Sequence, residues 1–407
     1  MNRKFQGQRL RFARMYNGLS VTDLANQVGF SKQLISQYEN DETSPSHEKV
    51  VILSETLGFP YEFFMTEDIY NPNAQTTYFR SLLSAKRLDR TAQSKKLEII
   101  SEVFTTLSED IDFKPLHIPH IAIDDAPAEP NGEMPDITGT EIESYAQQAR
   151  EYWSIPDGPI GNLQYLLEKN GLIVTGFDTE AKKIDAFSER ILVEGMGLYI
   201  IAVDQGNQPE GRIRFDLSHE LGHILMHPWS ENLEEISKEE FKKREDQANE
   251  FASAFLLPER SFRTDVSAYP TDLQYYLFLK KKWKVSVAAM LVRARRLEVL
   301  STNQYQYLMR QYSKNGWRGK EPDDAPFALN ENIFQLAIDA LYKAGYYTPI
   351  SMMRHFESRG IYLYPAELEK LLNLRSGTLK SHDPAPMSVI QLRAKNQGVN
   401  DEASSNP

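Results

Sequence analysis

The fold of this chain is restricted above all by one short stretch, RFDLSHELGHILMH at positions 214–227, which predicts an amphipathic helix with His219 and His223 on one face. Residues four apart lie on one helix face, about one turn from each other, so His219 and His223 can place two imidazoles on one zinc ion. Glu220 follows the first histidine and can reach a water on the metal. Zinc lowers the pKa of such a water to about 7, and a carboxylate takes its proton while hydroxide attacks a carbonyl. The alternative interpretation is a buried helix with two hydrogen-bonded histidines.

A catalytic zinc has three protein ligands and one open position, so a third ligand is expected from a following helix. The segment REDQANEFASAFLLP at 244–258 predicts such a helix, and five of its residues share one face: Glu245, Ala248, Asn249, Ala252 and Leu256. This face is mostly small or apolar, which predicts burial, and a buried carboxylate needs a partner such as a metal. Glu245 is therefore the predicted third ligand, with Glu250, and after it Asp246, as alternatives. Asn249 is predicted to orient a histidine ligand by a hydrogen bond.

Three further residues have side chains that could serve such a site. His227 stands one more i+4 step along the helix, but Pro228 follows it and predicts a frayed helix end rather than a metal ligand. A hydroxyl near the developing oxyanion is expected in a peptidase, and Tyr275 or Tyr276 can supply one. Aromatic packing within a helix is the preferred interpretation of both tyrosines.

The first 68 residues predict a compact domain of five short helices. Ser20 and Ser31 are expected N-caps of helices over 19–28 and 31–40, with a tight turn between them, an arrangement typical of a helix-turn-helix. The second helix leaves a polar face exposed, formed by Ser31, Lys32, Gln33, Ser36, Gln37 and Asn40. Glutamine can bond an adenine edge bidentately, so this face is the predicted DNA contact. Lys32 and three arginines, Arg9, Arg11 and Arg14, are expected phosphate contacts. A small helical domain with an ordinary polar surface is the alternative.

Composition limits the classes of protein to consider. The net charge is −11, so affinity for a polyanion must come from a local basic patch, and the first forty residues hold six Lys or Arg against two Asp or Glu. The chain has no cysteine, which excludes disulfides and leaves His, Asp and Glu as metal ligands. No signal peptide or bilayer-length apolar stretch is evident, so a cytoplasmic location without membrane partners is expected.

The pattern along the chain predicts an α+β fold that is mostly helical. We expect a helix-turn-helix domain at 1–68, a helical connector with a Pro-rich linker at 69–136, and a metallopeptidase-type domain at 137–322 with a small sheet. A C-terminal helical region at 323–380 and a disordered tail at 381–407 complete the prediction. Strands are expected at 172–177, 190–194 and 198–203, each rich in β-branched and aromatic residues.

Two resemblances to known families sharpen these expectations. The region from about 153 to 322 resembles the ImmA/IrrE family of metallopeptidases, through GPIGNL (158–163), RIRFDLSHELGHILMH (212–227), EDQANEFASAFLLP (245–258), LKKKWKVSVAAMLVRARRL (279–297) and GWRGKEP (316–322). This resemblance implies a thermolysin-like zincin fold and a gluzincin-like zinc site, with His219, His223 and Glu245 as ligands and Glu220 as general base. Members of the family are associated with cleavage of DNA-bound repressors.

The segment LSVTDLANQVGFSKQLISQYENDETSPSHEKV at 19–50 resembles the phage-repressor-type (Xre/Cro) helix-turn-helix family. This resemblance implies insertion of the 31–40 helix into the major groove, often as a homodimer. The chain departs from the pattern at Asn40 and Asp41, where many members carry glycine, although asparagine also tolerates the left-handed turn.

The combined features predict a DNA-binding zinc endopeptidase that regulates transcription by cleaving a repressor-type protein or itself. Its expected partners are double-stranded operator DNA and a protein substrate. The alternative is a transcription regulator or antitoxin-like DNA-binding protein whose zinc domain acts as a sensor and cuts little.

Overall fold

The computed structural model describes residues 4–67, 73–79, 87–119, 137–177, 186–193, 196–204, 208–227, 236–324 and 331–380. These ranges contain sixteen α-helices, one 3-10 helix and four β-strands, so the predicted mostly helical α+β fold is confirmed. The predicted disordered tail at 381–407 and most of the predicted Pro-rich linker lie outside the described residues.

The N-terminal region contains the five expected short helices. They are α1 (Gly7–Tyr16), α2 (Val21–Val28), α3 (Lys32–Glu39), α4 (His47–Leu57) and a 3-10 helix (Tyr61–Met65). Ser20 caps α2 and forms a reciprocal capping box with Asp23, while Ser31 accepts a hydrogen bond from the Leu34 amide at the start of α3. Gly29 ends α2 in the left-handed conformation with φ of 70°. After α3 it is Asp41, with φ of 57°, that takes the left-handed conformation, whereas Asn40 has φ of −99°.

The four strands form one mixed sheet in the order β1-β3-β4-β2. They are β1 (Asn73–Phe79), β2 (Ile173–Phe177), β3 (Ala186–Val193) and β4 (Met196–Asp204). β1 and β4 both run antiparallel to β3, and β2 runs parallel to β4. The three expected strands correspond to β2, β3 and β4. Strand β1 is not among the expected strands, because its polar sequence NAQTTYF is typical of a turn-rich segment.

Twelve further helices surround this sheet. Nine of them lie between β1 and residue 324: α5 (Arg87–Leu107), α6 (Gly139–Tyr152), α7 (Leu163–Lys169), α8 (Glu210–Met226), α9 (Lys238–Leu256), α10 (Glu259–Val266), α11 (Leu273–Trp283), α12 (Val287–Arg296) and α13 (Thr302–Lys314). Three lie in the C-terminal region: α14 (Ile333–Lys343), α15 (Pro349–Ser358) and α16 (Pro365–Leu371). No helix among the described residues combines the length and the apolar character needed to cross a membrane.

The sheet separates two hydrophobic cores, because successive side chains of a strand point to opposite faces. On one face, Val174, Ile201 and Val203 belong to a core that includes α8 and the helices up to α13. On the other face, Ile173 and Ile200 belong to a core that includes α5, the N-terminal helices and α14–α16. The candidate metal helix α8 therefore lies on one face of the sheet, and the N-terminal domain lies on the other.

Candidate metal centre and DNA-contacting helix

Helices α8 and α9 approach each other closely because small residues meet where they pack. A Cβ atom added at Gly222 would lie 3.1 Å from the Phe251 ring and 3.3 Å from the Ala248 Cα. Ala248 and Ala252 are fully buried on the facing side of α9. This close approach brings the carboxylate of α9 to the histidines of α8.

His219, His223 and Glu245 converge on one point between the two helices. The Nε2 atoms of the histidines are 3.1 Å apart, and both imidazoles are almost completely buried. One Glu245 oxygen lies 3.2 Å from Nε2 of His223, and the other lies 3.4 Å from Nε2 of His219. The Glu245 side chain keeps 14% of its surface exposed, so it is the least buried of the three.

This donor set fits a metal ion in both chemistry and spacing. Two imidazole nitrogens and one carboxylate oxygen lie within 4.8 Å of one another. Tetrahedral zinc bonds of about 2.0–2.1 Å separate ligand atoms by about 3.3 Å, close to the three donor–donor distances given above. The cluster therefore has the composition and dimensions of a three-ligand site for a divalent cation.

His223 is oriented by a chain of hydrogen bonds that begins just before α6. The amide of Gln247 donates from Nε2 to the Ile137 carbonyl at 3.4 Å, which leaves its Oε1 to accept from His227 Nε2 at 3.1 Å. Burial, followed by the neighbouring His223, lowers the pKa of His227 well below its usual value, so its ring is neutral. Its Nδ1 therefore accepts from Nδ1 of His223 at 2.8 Å. Nε2 of His223 is left to face Glu245 and the metal position.

His219 is oriented in the same manner by the neighbouring helix. Its Nδ1 lies 3.2 Å from Oδ1 of Asn249, an atom that can only accept, so the ring donates from Nδ1. Asn249 thus makes the contact expected of it. Metal-binding histidines commonly donate their second ring N–H to a protein oxygen, which fixes the tautomer and increases ligand basicity.

Glu220 lies next to this cluster and is fully buried. Its Oε2 accepts a hydrogen bond of 2.6 Å from the hydroxyl of Ser188 on β3. The strand thereby fixes the orientation of the carboxylate. Ser188 could not be identified from the sequence, because its link to Glu220 depends on how β3 packs against α8.

The electrostatic balance at Glu245 favours its ionised form. Burial by itself raises the pKa of this carboxyl, but the hydrogen bonds and charge of His219 and His223 outweigh burial and lower the pKa to about 2. Glu245 is therefore an anionic oxygen donor at neutral pH. Protons and a metal ion compete for the same imidazole lone pairs, so metal affinity at such a site decreases as the pH decreases.

The alternatives from the sequence analysis lie elsewhere. The Glu250 carboxylate forms an ion pair with Arg296 at 3.2 Å, and Asp246 is exposed and pairs with Lys242 at 2.7 Å. Tyr275 and Tyr276 donate their hydroxyls to the carbonyls of Asp265 and Pro270. Of these acidic candidates, the structure brings Glu245 to the histidines. Helix α8 ends at His227 as expected, but the expectation that this end is frayed was wrong, because the residue is buried and bonded on both ring nitrogens.

The predicted DNA-contacting residues lie on one exposed side of α3. Ser31, Lys32, Gln33, Ser36 and Asn40 are exposed, and Gln37 is half-buried. Ile35 and Tyr38 point into the N-terminal core and hold the helix in place. The Ser31 hydroxyl is engaged as the N-cap of α3, so it positions the helix end as well as lining the polar side.

The phosphate contacts expected of Arg9 and Arg14 are contradicted by the structure. Arg14 is buried and forms a two-point ion pair with Glu39, at 2.6 and 2.9 Å. Arg9 is buried and donates to the Gly360 carbonyl at 3.0 Å. Arg11 is exposed but lines a cavity of about 350 Å³ between α1, α5 and residues 360–363. Helical spacing alone does not distinguish a buried arginine from an exposed one, because a long arginine side chain can lie either against the core or in solvent on an amphipathic helix.

Comparison with known families agrees with the description of the N-terminal helices and with that of the metal-site region. Residues 7–68 match the family described as helix-turn-helix domain, and residues 167–295 match the family described as IrrE N-terminal-like domain. No curated protein matches the chain. The first match supports DNA binding, and the second supports a metallopeptidase-like domain. The chain therefore joins a helix-turn-helix domain to a domain of the ImmA/IrrE type.

Proposed function

We propose that this protein is a DNA-binding, zinc-dependent endopeptidase that regulates transcription by cleaving a repressor-type protein or its own chain. The observation that carries the proposal is the convergence of His219, His223 and Glu245 beside the buried carboxylate of Glu220. Three ligands leave one coordination position open, as catalytic zinc sites require and structural sites do not.

The roles of the residues follow from their contacts. His219, His223 and Glu245 would hold the zinc, with Asn249 and His227 fixing the tautomers of the two imidazoles. When bound, zinc polarises the substrate carbonyl and increases the acidity of the attacking water. Glu220 acts as general base, accepts the proton from that water and delivers it to the departing amine. Ser188 keeps this carboxylate in one orientation through the hydrogen bond to Oε2.

The DNA-binding half of the proposal depends on α3. Its exposed side offers Gln33 and Gln37 to base edges and Lys32 to phosphate, while Ser31, Ser36 and Asn40 complete the polar surface. The ligand is double-stranded operator DNA, so we place the protein in the cytoplasm. A homodimer is the proposed DNA-bound assembly, because repressor-type domains of this kind read paired half-sites.

Substitution of Glu220 by glutamine tests the peptidase proposal. Glu220→Gln keeps the size and the Ser188 contact but removes the base, so we expect stoichiometric zinc and a loss of cleavage of at least about a hundredfold. Substrates are the repressors encoded next to its own gene, incubated with and without chelator and followed by mass spectrometry. His219→Ala is the matched control, and it should lose the zinc itself.

The complete burial of Glu220 favours one other candidate, a regulator whose zinc domain senses a signal and cuts little. This candidate predicts zinc binding without cleavage in the parent protein. It also predicts that Glu220→Gln leaves the regulatory phenotype intact. An unchanged phenotype in that variant would remove the enzyme from the proposal and leave the DNA-binding regulator.

A further inference from the structure

Strand β1 occupies the outer edge of β3, in the order β1-β3-β4-β2. It comes from the segment between the helix-turn-helix domain and α5, outside the region that matches the IrrE N-terminal-like domain. The two strands pair antiparallel, with Tyr78 opposite Ser188 and Phe79 opposite Phe187. A segment that lies outside both matched regions therefore adds a strand to the sheet formed by β2, β3 and β4.

This edge of the sheet lies beside the candidate catalytic carboxylate. Ser188 donates to Glu220 at 2.6 Å, and the backbone of β1 at Tyr78 passes one strand spacing from Ser188, about 4.8 Å. An endopeptidase must hold its substrate chain extended next to the general base. A free strand edge provides this by main-chain hydrogen bonds that do not depend on the sequence of the peptide.

We propose that β1 is an internal blocking strand, which occupies the position where an extended polypeptide substrate docks on β3. This inference rests on the proposed function and defines how the same site is regulated. The substrate class is an extended or unfolded segment that adds to β3 as an antiparallel strand in place of β1. Cleavage requires β1 to leave first.

The attachment of β1 is suited to reversible release. Its pairing with β3 is irregular between Ala74 and Thr77, which removes part of the regular ladder. In the sequence, seven residues separate β1 from the 3-10 helix and seven separate it from α5. A strand joined to its own sheet by short stretches of chain has an effective concentration in the millimolar range, so a free peptide competes poorly while β1 is paired with β3. Helix α5 also contacts β3 directly, since Ser94 donates to Glu189 at 2.9 Å.

Two proline substitutions in the full-length, zinc-loaded protein provide a matched pair. Neighbouring amides of a strand point to opposite edges, so one of Thr77 and Tyr78 directs its N–H to β3 and the other directs it outward. Thr77→Pro and Tyr78→Pro are therefore compared, with fluorescein-labelled casein as the extended probe. We expect one variant to cleave casein at least about tenfold faster than the parent, and the other to resemble the parent.

A disulfide that holds β1 on β3 and can be reduced tests the same inference without removing a hydrogen bond between the two strands. The chain has no cysteine, so Asn73→Cys combined with Leu192→Cys creates a single cross-strand disulfide between Cα partners. The oxidised protein should cleave casein at least about tenfold more slowly than the same protein after treatment with a phosphine reductant. A peptide copying residues 71–82 should inhibit the faster proline variant, and a scrambled peptide of the same composition should not.

The outcomes separate this inference from the proposed function. Equal cleavage by the parent, both proline variants and both redox forms would overturn the blocking role and leave the peptidase intact. No cleavage by any form, with zinc bound, would overturn the proposed function and this inference with it. Hydrogen exchange supplies a readout that is independent of activity, because the β3 amides that face β1 become exposed when β1 leaves. These amides should exchange faster in the faster proline variant. They should stay protected in the oxidised disulfide variant.

Discussion

Replacement of His227 by leucine tests the hydrogen-bond chain behind His223. Leucine fills similar space but cannot accept from Nδ1 of His223, which then keeps a buried N–H without its acceptor at 2.8 Å. An unsatisfied buried donor costs about 1–3 kcal/mol. Loss of a partner that orients a metal-binding histidine lowers metal affinity by about 10–100-fold, or about 1.4–2.8 kcal/mol. The two magnitudes agree, so we expect His227→Leu to bind zinc about 10–100-fold more weakly.

The measurement is zinc affinity by competition with a chromophoric chelator at pH 7.5. His227→Gln is the matched control, because its amide can accept from His223 and donate to Oε1 of Gln247, as the neutral histidine does. We expect this variant to retain most of the affinity. An unchanged affinity in His227→Leu would refute the reasoning. An equal loss of zinc affinity in His227→Leu and His227→Gln, whose metal-free forms unfold at the same temperature, would mean that the packing of the imidazole ring, and not its hydrogen bond, supports zinc binding.

Three further predictions concern other parts of the chain. Arg14→Ala leaves buried Glu39 unpaired, so urea unfolding should give a loss of about 3–5 kcal/mol, while a phosphate contact would instead reduce the salt dependence of DNA binding. Gln33→Ala and Gln37→Ala should each weaken binding to DNA from upstream of its own gene by about 1–3 kcal/mol, measured by fluorescence anisotropy at fixed salt. Burial raises the pKa of Glu168 to about 8 against an ordinary 4.5, so the folded state keeps a proton that the unfolded state loses, and stability decreases as the pH rises between these values. Glu168→Gln should therefore be more stable than the parent at pH 8, on the order of 3 kcal/mol, with a small difference at pH 5, by thermal unfolding.

Local patterns were sufficient to predict much of the fold and the candidate site. Helix α9 runs over Lys238–Leu256, where apolar and small residues recur at helical spacing, and this spacing also singled out Glu245 and Asn249. The i+4 relation predicted that His219 and His223 share a face, and their Nε2 atoms are 3.1 Å apart. These successes share one cause, because the relevant distances are set within a single helix or by the face that it buries.

Contacts between distant segments could not be predicted in the same way. Ser188 meets Glu220 only because β3 packs on α8, and Gln247 meets His227 only because α8 and α9 lie close together. Arg9 reaches Gly360, a residue more than three hundred positions away, so its burial is invisible in the pattern of α1. The polar sequence of β1 has no apolar alternation from which a strand could be predicted. The strand forms because it pairs with the edge of β3.

The N-terminal domain and the metal site lie on opposite faces of the sheet, so any coupling between DNA binding and the metal site must pass through the sheet or around its edge. Tyr16 of α1 donates to Glu367 of α16, and both helices belong to the core on the face of the sheet opposite α8. Packed cores resist continuous deformation, so a gradual shift through β4 is an unfavourable route from α1 to α8. Strand β1 lies at the edge and is tied directly to the N-terminal domain and α5, so its release can be all-or-none while the central pairing of β3 with β4 is kept. Under the proposed blocking role of β1, a discrete change at this edge would be the simplest physical route by which DNA binding could alter access to Glu220.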